Sequence, residues 1–160
     1  MDNIEIKKNK ELKMENVLSL RKKLKQDELN NEINIIQNFF IDNKIKRGGP
    51  LVTAIFNVEQ VNGEQIIDIE ILVPMDKKNV LPKKYNFKEN FHLTNAVYAR
   101  HEGNPAFLQQ TYNELIKFIN DNNLQQITSA YNVYINDLAS IDNLDAMIID
   151  IYIGINPNIL

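Results

Sequence analysis

Two carboxylates stand at corresponding places in two similar stretches of this chain. Glu70 lies within Ile69-Glu70-Ile71-Leu72-Val73-Pro74, and Asp150 within Ile149-Asp150-Ile151-Tyr152-Ile153-Gly154. An acid inside such an apolar run is either a solvated residue on the outer face of a half-buried strand, or a group that traps a cation or moves a proton. Side chains on a strand alternate with period two. Ile67, Ile69, Ile71 and Val73 therefore share one face with no polar member, as do Met147, Ile149, Ile151, Ile153 and Ile155. The opposite faces carry Asp68, Glu70 and Leu72 in one stretch and Ile148, Asp150 and Tyr152 in the other. Apolar and aromatic groups around an acid are the composition of a ligand cleft. Glu70, Tyr98, Tyr134, Asp150 and Tyr152 are accordingly the expected ligand-binding residues, while Tyr112 is expected to pack a helix.

Other chemistry finds less support. His101, between Arg100 and Glu102, reads as a hydrogen-bonding group in a turn, and His92 stands alone. Two histidines and no cysteine, in no ligand-like spacing, do not make a metal site. Gly48-Gly49-Pro50 is too short to cradle a phosphate, and no serine sits in a nucleophile elbow. No catalytic residue, metal or cofactor is assigned.

The elements that must position these residues recur in one order. Asp27 is a candidate cap for a helix over about 27–43, where Leu29, Ile33, Ile36 and Phe40 repeat at helical spacing. Leu51–Val58 and Gln65–Val73 read as strands joined by the hairpin signal Asn62-Gly63. The order then repeats: an alternating strand over Phe91–His101, a helix over about 105–122 opened by Pro105, and strands at about 130–136 and 146–155. Asp76–Asn90, with Pro82 and five lysines, reads as a surface linker, and Asn136–Asp145 as a polar connection. The expected fold is α+β, two strand-helix-strand-strand units in tandem. The pseudo-repeats are 14–75 and 91–155, in one domain over 14–160 preceded by a basic arm, 1–13.

Length and composition set the outer bounds. A chain of 160 residues buries roughly two thirds of its unfolded surface and needs no disulfide staple. No run approaches a membrane span, and the N-terminal stretch lacks the apolar core of a signal peptide, so the expected location is the cytoplasm. Residues 1–25 hold eight Lys or Arg against four acids, but no aromatic residues interleave with Lys7, Lys8, Lys10 and Lys13 to stack bases. Nucleic acid is not an expected partner, and neither is a membrane. Asn, Ile and Lys number 24, 23 and 15, a compositional bias that makes much of the polarity background.

Tyr98-Ala99-Arg100-His101-Glu102-Gly103-Asn104-Pro105, with Phe107-Leu108, Tyr112-Asn113-Glu114-Leu115, Phe118-Ile119 and Asn123-Leu124 after it, resembles the strand, glycine turn and helix of GyrI-like effector-binding domains. Asn132-Val133-Tyr134 and Asp150-Ile151-Tyr152-Ile153 match the two strands that follow in that family. The resemblance, over about 14–155, implies a curved antiparallel sheet with two helices on one face. It also implies a cleft between pseudo-symmetric halves that takes small hydrophobic or cationic molecules. The family's cleft glutamate falls on Asp150, one methylene shorter, and the proline that closes its last strand falls on Gly154. The residues before position 26 are too few and too strand-like for a helix-turn-helix, so a stand-alone domain is expected.

Gly49-Pro50-Leu51, Val73-Pro74-Met75-Asp76 and Ile153-Gly154-Ile155-Asn156 are similar to a Firmicute group of small GyrI-like proteins often encoded beside LXG toxins of type VII secretion. The resemblance implies a non-enzymatic binding domain for a small apolar or cationic molecule. It also leaves open an accessory, chaperone-like or immunity protein for a secreted toxin, and, behind both, a hydrolase of a strained electrophile.

Overall fold

The computed structural model describes residues 4–136 and 143–160. Most of the expected Asn136–Asp145 connection lies outside the described residues. The chain divides into two compact units, Met14–Phe91 and Met1–Lys13 together with His92–Leu160. Each contains one strand-helix-strand-strand repeat, in an α+β fold.

In the Met14–Phe91 unit, β1 (Ile6–Lys25) supplies residues from 14 onward and leads through a 3-10 turn into α1 (Leu29–Asp42). The hairpin β2 (Leu51–Val61) and β3 (Glu64–Pro74) follows. Asn62 and Gly63 both take positive φ, 52° and 80°, as a type I′ turn requires. The strand order is β1-β3-β2, all antiparallel, so the last strand of the repeat is central. Its inward residues Ile67, Ile69 and Ile71 are at most 1% exposed, and Leu29 of α1 packs on the cluster of Leu24, Ile67 and Ile69. Gly48 closes the return from the helix. Its N–H donates to Pro74 O at 2.9 Å, and a Cβ there would lie 2.5 Å from Met75 O, so no larger residue fits.

The other unit repeats the plan with β4 (Asn86–Glu102), α2 (Leu108–Asp121), β5 (Gln126–Tyr134) and β6 (Ile148–Ile155). The order is β4-β6-β5, again with the last strand central. Ile149, Ile151, Ile153 and Ile155 join Val97, Ala99, Leu115 and Ile119 in one core, as the two-residue period requires. Both helices stop in the same way without glycine. Asn43 and Asn122 each cap the carbonyl four residues back, to Phe39 O and Phe118 O at 2.9 and 2.8 Å. Lys44 and Asn123 then turn left-handed at φ 55° and 54°. Ile45 and Leu124 return N–H bonds to Phe40 O and Ile119 O, the pattern that ends a helix.

Three expectations are corrected. The 1–13 stretch is no free arm: it is strand from Ile6, and Glu11 meets His92 at 3.0 Å. The 76–90 linker is shorter, because Asn86–Asn90 already belong to β4, and Tyr85 is buried with its ring 5.5 Å from that of Phe39. Asp27 does not cap α1; the Glu28 carboxylate takes the N–H of Lys25 at 3.0 Å, a backbone donor left free by the strand's end.

Gly154 is held by its neighbours. A Cβ there would lie 2.6 Å from Thr128 Cγ2 and 2.9 Å from Leu93 Cδ1, and its N–H donates to Thr128 Oγ1 at 2.8 Å. A proline at this position loses the donor and collides with Thr128. Gly154→Pro is expected to cost about 3 kcal/mol or more in a urea melt. Ile151→Asp, which puts an unpaired acid in the core, is expected to cost more than Tyr152→Ala by several kcal/mol. Equal losses in the last pair would mean that the faces of β6 are inverted.

Candidate functional site

Asp150 projects from β6 on the face away from α2, because its neighbours Ile149 and Ile151 fill the helix side. Directly opposite on β4 stands Arg100, and two pairs further along Tyr98 faces Tyr152. Residues opposite one another in an antiparallel ladder share a face, so these four side chains meet. The Arg100 guanidinium grips the carboxylate with two parallel bonds, Nε to Oδ1 at 2.8 Å and Nη2 to Oδ2 at 3.0 Å. The Tyr98 hydroxyl donates to Oδ1 at 2.9 Å. The rings of Tyr98 and Tyr152 lie 5.1 Å apart, tilted by 53°. Asp150 is 6% exposed, so its charge is removed from water and held by partners rather than by solvent.

This setting moves the phenols. Burial, then the hydrogen bond to Asp150, pushes Tyr98 up to about 12, and burial raises Tyr152 as well. The Asp150 carboxylate raises Arg100 further above its already high value. The Lys10 ammonium stands 5.8 Å over the Tyr98 ring, so a cation already rests on that face. Tyr98 and Arg100 also line an open cavity of ≈ 940 Å³ whose wall includes Lys7, His101, Phe107 and Gln110.

Two of the expected residues are placed elsewhere. Tyr134 is opposite Ile149, which puts it on the helix side, where it packs against the core. Ladder register puts Tyr131 opposite Tyr152 instead. Glu70 belongs to the other unit, at the position equivalent to Asp150: Arg21 faces Glu70 across β1 and β3 as Arg100 faces Asp150. The bonding differs. Arg21 turns to Asp68, at 2.7 and 3.0 Å, and lies 3.8 Å over the Phe56 ring. Glu70, 6% exposed, accepts from the Ser19 hydroxyl and the Lys88 ammonium, each at 2.6 Å.

Arg100 was legible only as a neighbour of His101, and its role as the partner of Asp150 depends on ladder register. His101 stands in β4 rather than in a turn, and it is a hydrogen-bonding group as expected: it is buried, with Nδ1 at 2.8 Å from Thr111 Oγ1 and Nε2 at 3.1 Å from Asn104 O. Tyr112 donates to the Asn132 side chain and packs α2 against β5. Among the described residues no group of three or more His, Cys, Asp or Glu could hold a metal ion. No helix among them is long and apolar enough to cross a membrane.

Because Arg100 and Tyr98 both depend on the carboxylate, Asp150→Asn strands a guanidinium and weakens the phenol's bond. A loss of about 1–3 kcal/mol is expected in denaturant melts, discounted for the solvent access of Arg100. The raised Tyr98 value has a linked signature. A group that binds its proton more tightly when folded stabilises the fold below the unfolded value near 10 and loses that contribution as pH rises towards about 12. Tyr98→Phe is expected to flatten the fall in melting temperature across that window.

The fold has known counterparts at low identity. The EcmrR C-terminal domain matches with a TM-score of 0.79 at 16% identity, over 96% of this chain and 98% of that one. In the EcmrR–DNA complex the same likeness, at a TM-score of 0.76 and 15% identity, covers 96% of this chain but only 57% of EcmrR. A hydrolase from Listeria innocua matches at a TM-score of 0.58 and 14% identity, over 93% of each chain. SAV2435, solved bound to tetraphenylphosphonium, matches at 0.52 and 11%, over 98% of this chain and 95% of that one. These neighbours share the GyrI-like fold that the sequence resemblance implied. No curated protein matches in sequence. The model of one family, described as Domain of unknown function (DUF5085), matches residues 13–156, nearly the whole length, and the chain belongs to that family.

Proposed function

We propose that this chain is a non-enzymatic binding domain for a small apolar or cationic molecule, received beside Asp150 by Tyr98, Tyr152 and the adjoining cavity. The observation that carries this reading is the cavity itself. Its ≈ 940 Å³ is of small-molecule size, and its wall joins the exposed Phe107 ring to Tyr98 and Arg100. Aromatic faces take apolar rings by stacking and cations through the ring quadrupole. The resident Lys10 ammonium over Tyr98 is a cation in that arrangement.

Catalysis has no comparable support. Asp150 has both oxygens occupied, and His101 has both ring nitrogens engaged, so neither group is poised to exchange a proton with a substrate. Asp150 contributes by fixing Arg100 and Tyr98 rather than by meeting a cation directly.

SAV2435, of similar fold, was solved with tetraphenylphosphonium, so that cation heads the panel for a direct test. Titration calorimetry is expected to give saturable binding of at least one lipophilic cation, with a melting temperature that rises with the logarithm of ligand excess. Tyr152→Ala or Tyr98→Ala should weaken it about fivefold to tenfold. No heat and no melting shift with any member of the panel would overturn the reading. Recovery of an LXG toxin with the protein from its native host would then favour the accessory role.

A further inference from the structure

In the Met14–Phe91 unit the cations divide into two groups. Arg21, Lys22, Lys23, Lys25 and Lys88 each meet a carboxylate. The lysines of two connections do not. Lys44 and Lys46 lie between α1 and β2, and Lys77, Lys78, Lys83 and Lys84 between β3 and β4. All six are exposed, and none has a carboxylate partner among the described residues. With Arg47, and against Asp42 and Asp76, the two connections carry a local charge of +5 in a chain whose net charge is −3. They are tied into one surface. Arg47 and Met75 form a bridge, and the Asp76 N–H donates to Lys46 O at 3.0 Å. The second connection reads Lys77-Lys78-Asn79-Val80-Leu81-Pro82-Lys83-Lys84, two lysine pairs about an apolar centre. The Asn79 amide donates to Lys77 O at 2.9 Å and the Tyr85 N–H to Pro82 O at 3.0 Å, so a turn stands on either side of Val80. Tyr85, buried against Phe39, anchors the end of the loop. Val80 is 98% exposed: no part of the protein covers it.

We infer that the Lys77–Lys84 loop, with Lys44 and Lys46, is a docking surface for an anionic lipid bilayer, with Val80 entering the headgroup layer. An aliphatic side chain held in water at the tip of a turned loop, flanked by unpaired ammonium groups, suits the boundary between headgroups and acyl chains. A cluster of ~4–8 basic residues is enough to hold a protein segment on a negatively charged leaflet. No helix among the described residues could cross a bilayer, and docking on its surface requires none. Nucleic acid fits less well. Tyr85 is buried and Phe87 lies 5.4 Å beneath the Lys78 ammonium, so neither ring is offered for stacking, and a phosphate backbone would leave Val80 in water. None of these residues lines the cavity, so the surface gives the chain a role beyond small-molecule binding.

The test uses sedimentation with vesicles of phosphatidylcholine alone and of phosphatidylcholine with phosphatidylglycerol at a ratio of about 2:1. The wild-type chain is expected to sediment with the anionic vesicles at about 0.1 M salt, to be released at about 0.5 M, and to ignore the neutral ones. Each lysine neutralised should weaken the partition about fivefold, so Lys77→Gln/Lys78→Gln should lose about twentyfold, and the quadruple variant that adds Lys83→Gln and Lys84→Gln at least about a hundredfold. Lys8→Gln/Lys13→Gln, the same charge change at two exposed lysines of the other unit, should lose about twofold at most. The chain has no tryptophan, so Val80→Trp places a lone reporter at the tip, and its emission is expected to shift to the blue with anionic vesicles only. Circular dichroism checks that each variant folds. Lys84 rests 5.0 Å over the Tyr85 ring, and if the quadruple variant is unfolded, the Lys77→Gln/Lys78→Gln pair decides. No binding to either kind of vesicle, equal binding to both, an equal loss from the Lys8→Gln/Lys13→Gln pair, or tryptophan emission that stays at its aqueous wavelength would overturn the inference. Duplex DNA or polyglutamate that binds more tightly than the anionic vesicles would overturn it in favour of that polyanion. Tetraphenylphosphonium binding is read separately, since none of the substituted residues lines the cavity.

Discussion

An acid at the centre of a three-stranded sheet must find a cation, and the local structure of each unit is arranged around that demand. β3 and β6 are the middle strands, flanked on both sides, so Glu70 and Asp150 are each only 6% exposed. Leaving either unpaired would cost a large part of a domain's usual ~5–15 kcal/mol. The ladder offers one solution through register, an arginine directly opposite each acid. One unit uses it. The other diverts its arginine to Asp68 and brings in a lysine, so that a duplicated backbone carries two distinct electrostatic arrangements.

The apolar side of the same strands shows why such divergence is tolerated. In β6, Ile149, Ile151 and Ile153 are at most 1% exposed, and at about 1.5–3 kcal/mol for a fully buried aliphatic side chain they dominate the energetics of the strand. The helix stops are duplicated down to the asparagine side-chain bond and the left-handed residue after it. Stability thus resides in the helix-facing half of each repeat. The opposite faces, where Tyr98 and Tyr152 stand in one unit at the positions of Ser19 and Leu72 in the other, are left to differ.

That division bears on how the proposed site works. Asp150, the position onto which the family's cleft glutamate falls, is the better neutralised of the two acids, and its role is to hold Arg100 and Tyr98 in place beside the cavity. Under the proposed function, cation recognition on this face falls to aromatic surfaces, whose attraction survives partial screening of the charge beneath. Glu70, held instead by Ser19 and Lys88, lies in the repeat with no tyrosine at the equivalent positions.

The sequence by itself determined the repeat. Two helices at 3.6-residue spacing, an Asn-Gly turn and two strands with an all-aliphatic face are local signals, because hydrophobic period and turn chemistry act between residues close in the chain. They placed Ile151 inward and Tyr152 outward correctly, and they selected Glu70 and Asp150 as acids on the outward faces. What only the tertiary structure decided was partnership. Whether Arg21 meets Glu70 or Asp68, whether Lys88 comes from a presumed linker, and whether Tyr131 or Tyr134 stands beside Tyr152 all depend on register between strands far apart in sequence. A shift of one residue in that register exchanges every face, and no local pattern fixes it.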